Sequence, residues 1–164
     1  MTTLMLVRHG ETVDNANRIM QGQTQGQLNE TGIRQAEEVA ISLAGEHVDA
    51  VVSSDLKRSY DTACIIANKH GLDVSTTKLL RERDWGSFTG RYIPDLKEEK
   101  WPDDIESLDH LLYRAKIFLD FVRSEYPDHS VVAVGHGIIN KAIQAVYYKV
   151  TMSEVRPMAN CEIR

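Results

Sequence analysis

Two histidines in this chain follow apolar runs and stand beside glycine, and one of them also follows an arginine. Arg8 and His9 come directly after the apolar run at residues 3–7, and His136 has a glycine on each side. A guanidinium presents a planar fork of donors that matches phosphate oxygens. A neutral imidazole can act as a nucleophile or carry a proton. These residue types therefore predict an anion-binding site with histidine chemistry.

Four more side chains could complete such a site. Arg58 supplies a second guanidinium and Asn15 an amide donor, both suited to phosphoryl oxygens. Glu82 and Asp84 lie close together in the chain, and a carboxyl group can protonate the leaving oxygen of a phosphate ester. The sequence thus contains a nucleophile, cations and a proton donor, provided that the fold brings them together.

The hydrophobic pattern predicts strands that alternate with helices. The predicted strands are Thr3–Val7, Asp49–Ser53 and Ser130–Val134, with a further strand or extended segment at Val74–Leu80 and a last strand at Asn160–Arg164. One predicted helix runs from the cap Asn29 to Gly45 and has Ile33 on its buried face, and a second runs from the cap Ser54 to Gly71 and has Tyr60 on its buried face. Two more predicted helices cover Leu108–Val122 and Ile138–Tyr148. This order is typical of an α/β fold, a three-layer α/β/α sandwich with a mostly parallel central sheet.

The predicted sheet explains how distant residues could share one site. His9 and His136 are 127 positions apart, yet each follows a predicted parallel strand. Ligands of such sheets bind beyond the carboxyl ends of the strands. We therefore expect both histidines at the same edge of the sheet.

Composition limits the classes of function. The 164 residues favour one domain, 1–164, and the net charge of −5 argues against nucleic-acid and membrane partners. Two cysteines are too few for a disulfide framework, and no histidine or cysteine spacing suggests a metal site. The short apolar run at the N-terminus ends at Arg8, so we expect no signal peptide and a cytoplasmic protein.

Four segments together resemble the histidine phosphatase superfamily, the phosphoglycerate mutase-like proteins, and most closely its broad-specificity phosphatase branch. They are residues 8–12 (Arg-His-Gly-Glu-Thr), 53–58 (Ser-Ser-Asp-Leu-Lys-Arg), 80–82 (Leu-Arg-Glu) and 134–137 (Val-Gly-His-Gly). The resemblance runs from Leu4 to Asn160. Many relatives carry an aspartate and a proline where this chain has Gln25 and Gln27, and relatives usually continue beyond Asn160.

The resemblance implies roles for the matching residues. His9 would be the nucleophile that forms a phosphohistidine, and Glu82, rather than the nearby Asp84, would be the general acid. The phosphoryl group would be held by Arg8, Arg58, Asn15 and a protonated His136, with Gln21, Gly22 and Gly137 lining the pocket. No metal and no cofactor is implied. Glu11 could either take part in the site or only shape its loop.

Phosphatase and mutase chemistry share these residues, so the choice depends on the segment above the site. Mutases of the family carry a long insertion between the acid and the second histidine, whereas only 53 residues separate Glu82 from His136 here. The short lid, about 91–107, favours hydrolysis of a small phosphorylated metabolite. A cofactor-dependent phosphoglycerate mutase and a catalytically silent phosphate-binding protein are the alternatives, and the sequence does not distinguish monomer from homodimer.

Overall fold

The computed structural model describes all 164 residues and is built on one four-stranded parallel sheet. The strands are β1 (Thr3–Arg8), β2 (Ala50–Ser53), β3 (Val74–Thr76) and β4 (Ser130–Gly135), in the spatial order β1-β4-β2-β3. Strand β4 is the most apolar, with five buried residues out of six, because it lies between two neighbours and under helices on both faces.

Five α-helices accompany the sheet. They are α1 (Val13–Ala16), α2 (Glu30–Leu43), α3 (Lys57–Asn68), α4 (Leu108–Glu125) and α5 (Gly137–Tyr148). The prediction that Asn29 caps α2 is confirmed, since its side-chain oxygen accepts the Gly32 N–H at 2.8 Å. Ser107 caps α4 in the same way.

The core is divided by the sheet into two clusters. One lies between the sheet and helices α4 and α5, the other between the sheet and helices α2 and α3. Their central members are Phe118, Leu111, Ile139 and Ile143 in the first, and Ala36, Val39, Ala63 and Ile66 in the second. The predicted three-layer α/β/α architecture is confirmed.

This layering creates a crevice between β1 and β4. The two strands are neighbours, but the chain after β1 leads to α2 on one face, while the chain after β4 enters α5 on the other. Adjacent strands whose connections leave in opposite directions open a gap at their carboxyl ends, where α/β proteins bind ligands. His9 and His136 are the residues that immediately follow these two strands.

Several predicted boundaries were wrong. Strand β3 ends at Thr76 and a 3₁₀ turn, Lys78–Leu80, follows, because Leu80 turns inward to pack in the core. The C-terminal segment forms a single antiparallel bridge, Ile163 to Val7, instead of a strand. Ile33 and Tyr60 are about two-fifths exposed, so they lie at the margins of the buried faces of their helices.

The segment predicted as a lid folds against the loop that precedes it. Its one regular element is a 3₁₀ turn, Ile93–Leu96, and Tyr92 forms an antiparallel bridge to Ile19. The Arg83 guanidinium packs on the rings of Trp85 and Trp101, at 5.1 and 5.3 Å from their centroids. No helix is both long enough and apolar enough to span a membrane.

Candidate active site

His9 is buried at the end of β1, with one ring nitrogen in a hydrogen bond to the protein and the other without a hydrogen-bond partner. Its Nδ1 lies 2.7 Å from the Gly10 carbonyl oxygen, which can only accept, so the ring proton is on Nδ1. The only side-chain hydrogen bond of His9 is this one, so Nε2 has no partner in the protein, and the ring lines a cavity. The orientation presents an unprotonated nitrogen to anything bound there.

The charge state of His9 follows from its surroundings. Complete burial, reinforced by the positive charges of Arg58 and Arg8, holds the pKa of His9 well below its usual range. The imidazole is therefore neutral at physiological pH, as a nucleophile must be. The prediction that neighbouring arginines disfavour the imidazolium is in accord with this direction, although desolvation is the larger cause.

His136 stands beside His9, with the ring centroids 5.0 Å apart. Its Nε2 is 2.7 Å from the Ser54 hydroxyl oxygen, and that hydroxyl has no other acceptor within reach. The network therefore has Ser54 donating to Nε2, which leaves the ring proton of His136 on Nδ1. Nδ1 is fully buried and has no hydrogen-bond partner in the protein.

Burial and the charge of Arg58 also hold the pKa of His136 well below its usual range. The sequence-based role of His136 as a third cation therefore does not describe the unliganded protein, where the ring is neutral. A bound phosphate dianion would favour protonation. The prediction that Ser54 caps α3 was wrong: Leu56 is the cap residue, and the Ser54 hydroxyl serves His136 instead.

Arg8 and Arg58 both enter the crevice with part of their donor set unused. Arg8 donates Nη1–H to the Met158 carbonyl at 2.7 Å, and Arg58 donates Nη2–H to the Gly22 carbonyl at 2.7 Å and Nη1–H to the Thr24 carbonyl. In each guanidinium the buried Nε–H has no partner. Burial lowers the pKa of Arg58 to about 10, so it remains charged at pH 7. Two anchored cations thus present free donors beside His9.

Glu82 reaches the same cavity from the loop after β3. Its carboxylate accepts the backbone N–H groups of Ile138 and Ile139, both at 3.0 Å, and of Arg83 at 2.8 Å. The first two are unpaired donors at the start of α5, where the helix dipole also favours a negative charge. Glu82 is thereby held at the mouth of the crevice opposite the two guanidinium groups.

Two acidic residues considered from the sequence lie outside the cavity. Asp84 accepts the Gly86 N–H at 2.9 Å and lines a separate surface groove, so it is remote from His9. Glu11 accepts a hydrogen bond from Asn29 at 2.8 Å and shapes the entry to α2. Of the three carboxyl groups that the sequence offered, only Glu82 faces the cavity.

The remaining predicted pocket residues are assembled around the histidines. The side-chain oxygen of Asn15 accepts a hydrogen bond from the backbone N–H of Thr12, and the side-chain oxygen of Gln21 accepts one from the Thr12 hydroxyl. Gly22 adopts a left-handed φ of +53°, a conformation that favours glycine. Asn15, Gln21, Gly22 and Gly137 all line the cavity, so every residue predicted for the site lines it except His136, whose buried ring stands beside that of His9.

The cavity has a volume of about 300 Å³ and contains features that the sequence did not reveal. Several apolar side chains line it, among them Ile19, Met20, Trp85, Ile93 and Pro157. Lys141, one turn into α5, also lines it and has neither a hydrogen-bond partner nor an ion-pair partner in the protein. No local signal marked Lys141, because its role depends only on where α5 points. No group of three or more histidine, cysteine, aspartate or glutamate side chains is arranged to hold a metal ion.

Comparison with known proteins agrees with this geometry. The family model described as the histidine phosphatase superfamily (branch 1) matches residues 4–164. The chain belongs to the histidine phosphatase superfamily.

Individual relatives in the superfamily are named for two activities. Phosphoserine phosphatase 1 of Hydrogenobacter thermophilus is 33% identical, over 94% of this chain and 80% of its own length. A probable phosphoglycerate mutase of Yersinia pestis is 45% identical over 103 residues, which span 62% of this chain and 48% of that protein. The solved mycobacterial glucosyl-3-phosphoglycerate phosphatase has a TM-score of 0.85 with 29% identity, over 98% of this chain and 87% of its own.

Proposed function

We propose that this protein is a metal-independent phosphomonoesterase that hydrolyses small phosphorylated metabolites through a phosphohistidine on His9. One observation carries the proposal: the buried, neutral His9 ring has its Nδ1 proton tied to the Gly10 carbonyl and its Nε2 free, between two guanidinium groups with unused donors. A nucleophile and a cationic cradle for its phosphoryl target are thus preassembled.

In the first half-reaction, Nε2 of His9 attacks phosphorus and the bond from phosphorus to the ester oxygen breaks. Arg8, Arg58 and the Nδ1–H of His136 stabilise the charge spread over the phosphoryl oxygens. Glu82, entering as the protonated acid, gives its proton to the departing oxygen, so the product leaves as an alcohol. Such a positioned transfer contributes about 10²- to 10⁴-fold to the rate.

In the second half-reaction, Glu82 is a carboxylate and takes a proton from water. The oxygen of that water attacks phosphorus, the bond to Nε2 breaks, and inorganic phosphate is released. His9 returns to its neutral form with its proton still on Nδ1, and Glu82 is again protonated. Each group ends in the state in which it began, so turnover needs no further reactant.

Lys141 supports a substrate that carries a second negative charge. It is a cation without a protein partner on the wall of the cavity, whereas Arg8 and Arg58 are partly used by backbone carbonyls. A phosphate ester with a carboxylate, such as a phosphorylated hydroxy acid or amino acid, would satisfy both the cradle and Lys141. The names of the phosphoserine and glucosyl-3-phosphoglycerate phosphatases support the same chemical class.

The test is to incubate the protein in EDTA with 3-phosphoglycerate, with and without 2,3-bisphosphoglycerate, and to follow inorganic phosphate and 2-phosphoglycerate. Phosphoserine and p-nitrophenyl phosphate are assayed in parallel. We expect phosphate without isomer. Isomer formed faster than phosphate would identify a phosphoglycerate mutase, and inactivity on all substrates would favour a silent binding protein. Loss of activity in EDTA would contradict metal independence.

We further propose that the enzyme acts in the cytoplasm on free metabolites, as a monomer or homodimer. Both Cys64 and Cys161 are free thiols, in keeping with a reducing compartment. Burial raises the pKa of Cys161 to about 12, so this thiol stays protonated and has no part in the chemistry.

A further inference from the structure

A buried ion pair lies directly behind Glu82 and has no contact with the cavity. Arg114 on α4 and Glu106, just before that helix, are joined by two hydrogen bonds of 2.8 and 3.0 Å. Their side chains are only 10% and 6% exposed. A buried ion pair is a costly feature that adds little net stability. Its presence therefore calls for a role in positioning.

The contacts of Arg114 show what it positions. Its Nη1 donates to the carbonyl oxygens of Leu79 at 2.9 Å and Arg81 at 2.6 Å, and its Nη2 reaches the Glu82 carbonyl at 3.3 Å. One planar guanidinium thus holds the three backbone carbonyls that precede and include the proposed acid. A lysine ammonium has neither this number of donors nor their fixed geometry.

Glu106 extends the same support to the other side of Glu82. Its carboxylate accepts the Asp84 N–H at 3.0 Å, its own N–H donates to the Asp84 carbonyl at 2.9 Å, and its carbonyl accepts from Arg83 Nε at 2.8 Å. Arg114 and Glu106 therefore fix the backbone from residue 79 to residue 84. The Glu82 side chain leaves this fixed loop and docks on the N–H groups that begin α5.

We infer that Arg114, oriented by Glu106, is a positioning residue that sets Glu82 at the distance needed to protonate the leaving group. The inference rests on the proposed function, since it concerns the acid of that reaction. Proton transfer is sensitive to distance, and a displacement of about 1 Å can lower a rate by about 100-fold. Loosening the backbone at residues 79–84 should therefore remove acid catalysis while leaving the phosphate cradle intact.

The experiment compares esters that do and do not need an acid. Wild type, Glu82→Gln, Arg114→Gln and the double variant are assayed with phosphoserine, whose alkoxide leaves poorly, and with p-nitrophenyl phosphate, whose leaving group needs little protonation. We expect Arg114→Gln to lower kcat/KM on phosphoserine about 10- to 100-fold more than on p-nitrophenyl phosphate. In the Glu82→Gln background the Arg114 change should add no further selective loss, because both act through one proton transfer.

Two further variants separate positioning from loss of structure. Arg123→Gln removes an equally charged side chain from the same helix, one that is exposed and bonds only to Asp120 at 3.4 Å, and should leave the ratio of the two substrates unchanged. If Arg114→Gln does not fold, as judged by thermal unfolding, Glu106→Gln removes the pairing charge instead and should give the same selective loss.

The outcomes are distinguishable. Equal losses on both esters in folded Arg114 and Glu106 variants, with Glu82→Gln still selective, would overturn this inference alone. An equal shift of the ratio in Arg123→Gln would also overturn it. No phosphate release by the wild type, or no selectivity in Glu82→Gln, would overturn the proposed reaction and this inference with it.

Discussion

At the scale of single residues, His9 differs from the exposed histidines of the chain in having one tied nitrogen, one free nitrogen and two guanidinium neighbours. His9→Gln keeps a polar group of similar reach but cannot form a phosphohistidine. We expect phosphate release to fall by more than about 1,000-fold, as for loss of other nucleophiles. The measurement is steady-state hydrolysis of p-nitrophenyl phosphate.

The matched control is His129→Gln, which changes an exposed histidine at the opposite end of β4 and should leave activity unchanged. Rapid-quench experiments add a positive test. The wild type should accumulate an acid-labile phosphoprotein that His9→Gln lacks, and substantial turnover by the variant would exclude His9 as the nucleophile.

Lys141 gives a second prediction at this scale. Lys141→Ala should lower kcat/KM for 3-phosphoglycerate or phosphoserine about fivefold, since a partly solvated ion pair contributes about 1 kcal/mol. Activity on p-nitrophenyl phosphate should not change, because that ester has no second anion. Lys116→Ala, an exposed lysine on α4, is the control. Equal losses on both kinds of ester would show that Lys141 acts on the phosphate instead.

Sequence reasoning found residues that the fold does bring together: His9, Glu82, Arg8 and Arg58 around the cavity, and His136 beside His9. It missed Ser54 as the partner of His136 and the contacts of Arg114, because they join segments far apart in the chain. It missed Lys141 because the place of this side chain on the cavity wall depends on the direction of α5. Arg114 did leave a faint signal, since it lies at the edge of the apolar face of α4 beside Leu111 and Ala115. A charged side chain at the edge of an apolar helix face more often points to solvent, so the pattern alone could not identify Arg114 as a buried residue.

At the scale of elements, the start of α2 packs so closely on residues 10–12, the loop that follows His9, that only glycine fits. A Cβ on Gly32 would lie 2.0 Å from the Glu11 carbonyl oxygen, and one on Gly10 would lie 2.5 Å from the Gly32 carbonyl oxygen. Backbone contacts of this kind cannot relax without moving the helix. Helix α2 therefore fixes the loop that presents His9.

We expect Gly32→Ala to lower the free energy of unfolding by about 3 kcal/mol or more, because overpacking against backbone forces a shift. Gly45→Ala, just beyond the same helix, has nothing within 4 Å of the added methyl and should change stability by less than about 1 kcal/mol. Urea unfolding monitored by circular dichroism measures both. Similar values for the two variants would contradict the close approach.

The elements themselves were predictable to different degrees. Helices α2, α4 and α5 and strands β1, β2 and β4 carry strong periodic or apolar signals, and all were expected. The C-terminal segment and the end of β3 were not, because their pairing depends on neighbours rather than on their own residues: a single bridge holds Ile163, and burial of Leu80 ends β3 early. Side chains near the margins of helices, such as Tyr60, were misplaced for the same reason.

At the scale of the whole molecule, two buried neutral histidines make stability depend on pH. Both have pKa values well below 6.5 when folded, whereas in the unfolded chain they return to about 6.5. Below that pH the unfolded state binds more protons than the native state. The free energy of unfolding therefore falls as the pH drops below 6.5, by up to about 1.4 kcal/mol per pH unit for each histidine.

Denaturant unfolding between pH 7 and pH 5.5 tests this dependence. The slope should become shallower in His136→Gln, whereas His129→Gln, in which the changed histidine is exposed, should retain the wild-type slope. The comparison between variants cancels the contribution of the carboxylates, which titrate in all of them. Identical slopes in all three proteins would contradict the buried, neutral state of His136.

The contact of Arg83 with two indole rings has a consequence for how the molecule can be observed. Trp85 and Trp101 are the only tryptophans in the chain, their centroids are 5.4 Å apart, and Trp85 lines the cavity. Fluorescence excited in indole but not in phenol therefore comes only from this tryptophan pair at the cavity. The protein carries its own optical probe, and titration with inorganic phosphate or vanadate should change its emission and yield a dissociation constant without any added label.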